Sequence, residues 1–432
     1  MLAARRHSSR ALILLAVLAS LVVRLKLPQL ATVPPTPAPT GPSPSEWREF
    51  RARLVSQGIK VTTDVEGSGA STEESGAAPV AEKEERKIVA PGNEELLRSQ
   101  NEALWKEYID GGWAHTSLLE PGGLVCRMPM QIEMLQQMRR GITEGPAKVL
   151  RGRLEAELPD VDVLGEGGRS KEELFDTWSK NTNYCYRLAE AIVSDLLDTV
   201  AAKADSEQRL RITDLDAIDR ELLLMYASEQ EAWQSVCLVL SCPEGSTTIA
   251  GDAVALNRPL GLGRISEMEA GLILNGQPSS GTPGRFDDTV VKGWMETFAS
   301  SRGLYAGGPV GRGGPQDSLE PATLVHGFEE LPGAEEIAPG TKIYTGGVEA
   351  AIDAVRSGKY NALDFRWFLG RHKNLNTANG KWLPVACARP VALKQCLGLP
   401  KPLWHEVLEL CGGEPAEISR LEFQKRMDLN EE

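Results

Sequence analysis

Asp364-Phe365-Arg366-Trp367-Phe368-Leu369-Gly370 is an aromatic, apolar run with one arginine set inside it. Aromatic residues suit a pleated, half-buried surface, so 365–369 reads as a strand ended by Gly370. A charged side chain inside such a strand must be paired or exposed, which singles out Arg366. Upstream, Leu304-Tyr305-Ala306-Gly307-Gly308-Pro309-Val310 carries a glycine pair. That pair reads as a tight turn letting two strands approach, because glycine supplies φ > 0. Further strands are expected at 235–241, a strongly β-prone apolar run, and at 250–256. Asn257-Arg258-Pro259 closes the second, since proline removes a ladder donor. Short strands are expected at 323–326, 342–344 and 382–386. Helices are expected at 347–357 and 403–411, with Gly358 and Gly412 placed where a left-handed C-terminal residue is favoured. Strands and helices alternate without a βαβ rhythm, so the fold class is α+β rather than a doubly wound sheet.

Between 131 and 232 the pattern turns helical. Ser170-Lys171-Glu172-Glu173 has capping-box spacing. Leu174, Trp178, Cys185, Leu188, Ile192 and Leu196 then mark one apolar face of a helix running to about residue 202. A second helix is expected over 214–231, with Leu215, Ile218, Leu222 and Met225 inward. Asp214, Asp216 and Asp219 lack the glycine of a calcium-binding loop and read as acidic residues at a helix start.

The chain has 432 residues, 25% charged, with a net charge of −13. That balance repels phosphate backbones, so there is no strong nucleic-acid signal. The seven cysteines are odd in number and scattered, which is not a disulfide framework, and they suit a reducing compartment. Cys237 and Cys242, five apart, are expected on opposite faces of a strand. Residues 1–26 combine a basic start with a 13-residue apolar run (11–23), a signal-like targeting segment too short for a comfortable membrane span. Residues 27–92 read as a disordered linker or transit region. A signal-like start followed by such a segment resembles the two-part leader of proteins imported into complex algal plastids, which implies a plastid destination and no stable membrane span once it is removed. The alternatives are the secretory pathway or a signal-anchored membrane location.

Several motifs recur in order along the chain. They are Pro121-Gly122-Gly123-Leu124-Val125, Trp233-Gln234-Ser235-Val236, Asn257-Arg258-Pro259, Gly307-Gly308-Pro309-Val310, Leu331-Pro332-Gly333, Phe365-Arg366-Trp367-Phe368-Leu369-Gly370, Gly380-Lys381-Trp382 and Leu403-Trp404. In this order and spacing they resemble the AlgH/YqgE family of bacterial and plant-plastid proteins. The resemblance divides the chain into a first part of the domain at 93–130, a helical insertion at 131–232, a main part at 233–420 and a tail at 421–432. It implies a bent mixed β-sheet closing toward a barrel, with helices packed on it. Bacterial members have been called transcriptional regulators, and no defined chemistry is carried over. The chain departs from the family after Gly370, where Arg371-His372-Lys373-Asn374-Leu375 replaces its usual turn.

No catalytic array is legible. The glycine-rich run lacks the Gly-Lys-Ser/Thr ending of a phosphate loop, and no histidine pair has metal-ligand spacing. Arg371, His372 and Lys373 read as a solvated turn, and Trp367, Trp382 and Trp404 as packing residues. The candidate binding face is Asn257, Arg258, Gly307, Gly308, Pro309, His326, Arg366 and Gly370, with Arg258 and Arg366 expected on one face beside the glycines. No cofactor and no metal are implied. The expectation is a non-catalytic regulatory or binding protein with a protein partner. The alternative is a hydrolase or redox enzyme whose site forms only in the fold.

Overall fold

The computed structural model describes residues 90–159, 170–205, 209–260, 265–277, 284–299, 303–313 and 318–428. The leader, most of the linker, Ser279, Ser280 and Gly314 lie outside them. The fold is α+β. Helices α1 (Pro91–Gln100) and α2 (Glu102–Gly111) lead to β1 (Ala114–Thr116) and β2 (Leu124–Arg127). Five helices follow: α3 (Met130–Arg139), α4 (Gly145–Glu157), α5 (Lys171–Ser179), α6 (Thr182–Lys203) and α7 (Ala217–Glu231). The expected single helix from 171 to 202 is thus two. Asn181 accepts the Tyr184 amide and starts α6 afresh, while Ser170 and Glu173 complete the capping box of α5. Ile218, expected inward, is exposed.

Next come β3 (Val236–Ser241), β4 (Ile249–Ala255), α8 (Glu267–Asn275), α9 (Asp288–Phe298), β5 (Leu304–Ala306), β6 (Thr323–His326), β7 (Ala334–Glu336) and β8 (Tyr344–Gly346). Then follow α10 (Val348–Arg356), β9 (Arg366–Leu369), β10 (His372–Asn376), β11 (Trp382–Cys387), α11 (Arg389–Leu393), α12 (Leu403–Cys411) and α13 (Gly413–Asp428). α13 runs through 421–428, read from sequence as a tail, and buries Leu421 and Glu422.

Two sheets result, ordered β1-β11-β2-β3-β4-β10 and β5-β9-β6-β8-β7. β2 and β3 are antiparallel neighbours, with Val125 opposite Cys237, although five helices separate them in sequence. The pleat sends alternate residues to opposite faces. Leu124, Cys126, Val236, Leu238 and Val254 meet the helices in the main core, together with Ile132, Leu150, Ile192, Trp404 and Val407. Val125, Cys237, Val239, Ala253, Ala255, Leu375 and Trp382 form a small cluster on the other face. Cys242 also packs against this cluster, on the face of Cys237 rather than opposite it, and a register shift lies between them at Val239 and Ser241.

The first sheet curls around that cluster. β11 and β10 stand at the ends of a run of five strands, yet the His372 and Trp382 rings are 5.9 Å apart. No hydrogen-bonded ladder joins β10 to β11 among the described residues, so the curl stops short of a closed barrel.

The sheets meet at a corner. The chain leaves β9 in one sheet, turns at Gly370 and enters β10 in the other. Beyond β4 the ladder continues onto β5, through Ala255 N to Gly307 O at 2.7 Å and Ala306 N to Arg258 O at 2.8 Å. Gly307 and Gly308 sit here without positive φ. They are required by close approach: a Cβ on Gly308 would run into the backbone of Arg371 and His372. Gly370 is the residue with the left-handed backbone, at φ +69°.

A Cβ on Gly370 would lie 2.6 Å from Gly308 O and 2.8 Å from Val310 O. Gly370→Ala should therefore lower stability by roughly 2–4 kcal/mol, combining left-handed strain with overpacking. A shift of the urea midpoint checks this, and Gly358→Ala, whose Cβ would meet nothing within 4 Å, should show only the backbone part.

Candidate functional site

The mouth of the curled sheet, on its corner side, opens into a half-enclosed cleft of about 320 Å³. Its lining includes Arg127, Arg258, Arg312, Lys381, His372 and Trp382, with Glu231 among them and Ala232, Ala306 and Pro309 supplying apolar wall.

Arg127 is the deepest charge. It ends β2, and alternation from Val125 turns it toward the inner cluster, where it is 2% exposed. Nη1 donates to Lys381 O at 3.0 Å and lies 3.8 Å from Glu133 Oε2. Nη2 is buried and has no hydrogen-bond partner. The guanidinium stands 5.9 Å from the Trp382 ring centroid. Trp404 braces the strand end, its Nε1 donating to Arg127 O at 2.7 Å. Lys381 Nζ reaches the same carboxylate, 3.9 Å from Glu133 Oε1. Burial pushes the Arg127 pKa down and the Glu133 pKa up, and their mutual attraction opposes both shifts.

Arg258 is placed by its neighbour. The Asn257 side chain accepts from Val236 N at 3.0 Å and donates to Gln234 O at 2.8 Å, tying the turn to the start of β3. Arg258 Nη2 then bonds Trp233 O and, at 2.9 Å, the Ser235 hydroxyl. His372 begins β10. Burial, and secondarily the Arg258 charge, hold its imidazole down to about pKa 4.

Of the candidate residues, Arg258, Gly308 and Pro309 line the cleft. Asn257 holds its rim, and Gly307 and Gly370 build the corner behind it. Arg366 does not share this face. It is fully buried, donating to Ala392 O at 2.8 Å and Leu256 O at 2.6 Å between the Tyr305 and Phe368 rings. His326 is also buried elsewhere: Nδ1 accepts Phe328 N at 3.2 Å, and the ring stacks near Tyr344. The turn read as solvated divides its residues. His372 enters the cleft, while Arg371 pairs with Asp252 and Glu320. Trp382, read as packing, is a wall of the cleft as well as part of the inner cluster. Sequence reasoning missed Arg127, Arg312 and Lys381. The available signal for Arg127 was a charge closing the apolar run Leu124-Val125-Cys126.

Among the described residues no group of three His, Cys, Asp or Glu side chains is arranged to hold a metal ion, and no helix is long and apolar enough to cross a membrane. No protein-family profile, curated protein or solved structure matches the chain. The cleft is thus read on its own chemistry. It concentrates cationic donors in a protein of net charge −13.

Glu229 packs behind Arg127. Burial raises its carboxyl to about pKa 7, against the lowering effects of the Met130 amide, Lys425 and Arg127, while nearby Glu422 adds to the rise. The folded carboxyl holds its proton to about pH 7, whereas the unfolded one releases it near 4.5. The stability this group contributes is full below pH 4.5 and is lost as pH rises through 7. Glu229→Gln should therefore gain stability relative to the parent between pH 5 and 8, by on the order of 2 kcal/mol, read from denaturant midpoints at the two pH values. In the same pH range the His372 ring protons should show no NMR titration, because the imidazole is already neutral.

Proposed function

We propose that this protein works by binding rather than by turnover, and that its ligand is a small anion taken into the mouth of the curled sheet. The observation that carries this reading is Arg127: a buried guanidinium with one terminal nitrogen unpartnered at the wall of a cleft. A buried donor left unmet costs about 1–3 kcal/mol, and the guanidinium that bears it belongs to the cationic lining of the cleft. Arg258, Arg312 and Lys381 favour the same charge. The size of the cleft suits a small molecule, at the low end of the usual range of about 300–1,000 Å³.

The cleft offers poor material for a hydrolase. Its Ser235 hydroxyl is engaged by Arg258, and Arg258 also works against protonation of His372. A general base needs a pKa near the operating pH, and that of His372 is about 4. With the AlgH/YqgE-like motifs, these features support a regulatory protein that carries its ligand state to a protein partner. The plastid address read from residues 1–26 belongs to the same proposal.

Isothermal titration calorimetry of the full chain with phosphate, sulfate, acetate and choline tests it. At least one anion should bind saturably, choline should not, and binding should weaken as salt is raised. Lys381→Ala, at a side chain that lines the cleft about one-third exposed, should weaken the anion by about fivefold to tenfold, as expected for one lost charge-assisted contact. Absence of saturable anion binding overturns the proposal. So does sustained turnover of an ester in the cleft, which would make the protein a hydrolase.

A further inference from the structure

We infer that Asn379 is a site of spontaneous deamidation in the folded protein, where the side-chain amide is lost and aspartate or isoaspartate takes its place. This goes beyond the anion-binding reading and does not depend on it.

The reaction needs an asparagine whose side-chain carbon is within reach of the next backbone nitrogen. That nitrogen bonds to Cγ, the side-chain amide leaves as ammonia carrying the backbone proton, and a succinimide ring forms. Water then opens the ring at either carbonyl, giving aspartate or isoaspartate. The net change is one water consumed and one ammonia released. Glycine in the second position favours closure, because no Cβ crowds the attacking nitrogen. The chain contains two such pairs, Asn275-Gly276 and Asn379-Gly380.

The fold separates the two. Both asparagines are half-buried, so access of water does not distinguish them. Asn275 is tied to another segment by both polar atoms of its side chain: Nδ2 donates to Phe286 O at 3.1 Å, and Oδ1 accepts from Phe286 N at 2.7 Å. Its would-be nucleophile is held as well, since Gly276 N donates to Leu272 O at 2.8 Å at the end of α8. Asn379 differs at each point. Its Oδ1 accepts from Lys381 N at 3.0 Å, an Asx turn that folds the side chain back along its own backbone. The same N–H faces the oxygen on which negative charge gathers as Cγ is attacked, as a donor in an oxyanion hole does. Nδ2, the leaving group, makes no hydrogen bond among the described residues. Gly380 N is held by a long bond, 3.3 Å to Thr377 O.

The turn needs both residues of the pair. Gly380 stands at φ +82°, where a side chain is strained, and a Cβ there would run into the Gln136 side chain. Asn379 satisfies the Lys381 amide. The reaction product puts a carboxylate two residues before Lys381 and, as isoaspartate, adds a methylene to the main chain. Lys381 O accepts from Met128 N at 2.9 Å and from Arg127 Nη1 at 3.0 Å, so a lengthened turn acts directly on the wall of the cleft.

Peptide mapping of the full chain, incubated folded at pH 8, tests this. Trypsin releases the two asparagines in separate peptides, 374–381 and 265–285, and each gains about 1 Da on deamidation. In the folded chain Asn379 should convert at least about tenfold faster than Asn275, whose two hydrogen bonds must break first. Asn374 and Asn376 share the peptide of Asn379 but precede Leu375 and Thr377, and they should stay intact. Enzymatic methylation of isoaspartate should label that same peptide. In urea, where the fold no longer distinguishes them, the two Asn-Gly pairs should react at similar rates. Comparable conversion of both pairs in the folded chain overturns the inference. So does an Asn379 that stays intact in the folded chain while it reacts in urea. Neither result bears on anion binding, which calorimetry decides separately.

Discussion

A single guanidinium holds the corner on which the two sheets depend. Arg366 stands at the first residue of β9, fully buried, and no carboxylate meets it among its hydrogen bonds. It is held by carbonyl oxygens from two other parts of the chain and by the faces of Tyr305 and Phe368, at 4.6 Å and 5.1 Å. One of those carbonyls belongs to Leu256, immediately before Asn257 and Arg258. The other belongs to Ala392 in α11. A charge so placed must keep all its partners, because losing one leaves a buried cation short of compensation. Arg366 thereby fixes the end of β4 against the start of β9. The chain four residues on, at Gly370, crosses into the other sheet and delivers His372 to the cleft.

The cleft follows from curl and pleat together. Strands with a right-handed twist coil when the residues on one face are small. Ala253, Ala255, Cys237 and Val125 leave just such a narrow interior. Trp382 is the largest side chain of the cluster, and it also forms a wall of the cleft at the mouth. The inward positions that follow along β2 and beyond β4 then fall at the rim, and the chain has arginines at or beside them. A local cationic field arises in this way within a strongly acidic chain, and the low dielectric of the surrounding protein keeps it from being averaged away.

Much of the framework was legible because it rests on local rules. The β6 strand and the α12 helix coincide with the stretches read from apolar runs and proline placement, and the Ser170 capping box forms as its spacing required. The break at Asn181 was not legible, since the apolar spacing continues across it while the cap that interrupts it is a single side chain. The site was legible only in part. Arg258 stood out beside a turn proline, and it lines the cleft. Arg366 stood out by the same argument from polarity, yet it turns the other way, because its partners are backbone carbonyls that carry no sequence signature. Arg127, Lys381 and His372 come together only through the curl, which depends on pairings between residues more than a hundred apart. The glycines of the 307–308 pair were read for their conformational freedom. Their requirement is the approach of another backbone, which is a property of the neighbour rather than of the residue.

Arg127 and Arg366 show how two buried arginines in one fold divide between structure and site. Each has a nitrogen without a hydrogen-bond partner, Nη2 in Arg127 and Nε in Arg366. The Nε of Arg366 lies in a guanidinium packed between two aromatic faces, where the ring quadrupoles offset part of the missing hydrogen bond. Its terminal nitrogens, which point outward along the fork, are the ones that reach carbonyls. In Arg127 the arrangement is reversed: one terminal nitrogen is unmet, the nearest aromatic centroid is more distant at 5.9 Å, and the residue borders open volume. A terminal nitrogen is the part of the side chain that forms the end of a bidentate contact with an oxyanion. A purely structural arginine at the end of β2 would cost less as an apolar residue of similar volume, since replacing a buried ion pair in that way is often neutral or stabilising. The strand end therefore carries an expense that packing alone does not explain.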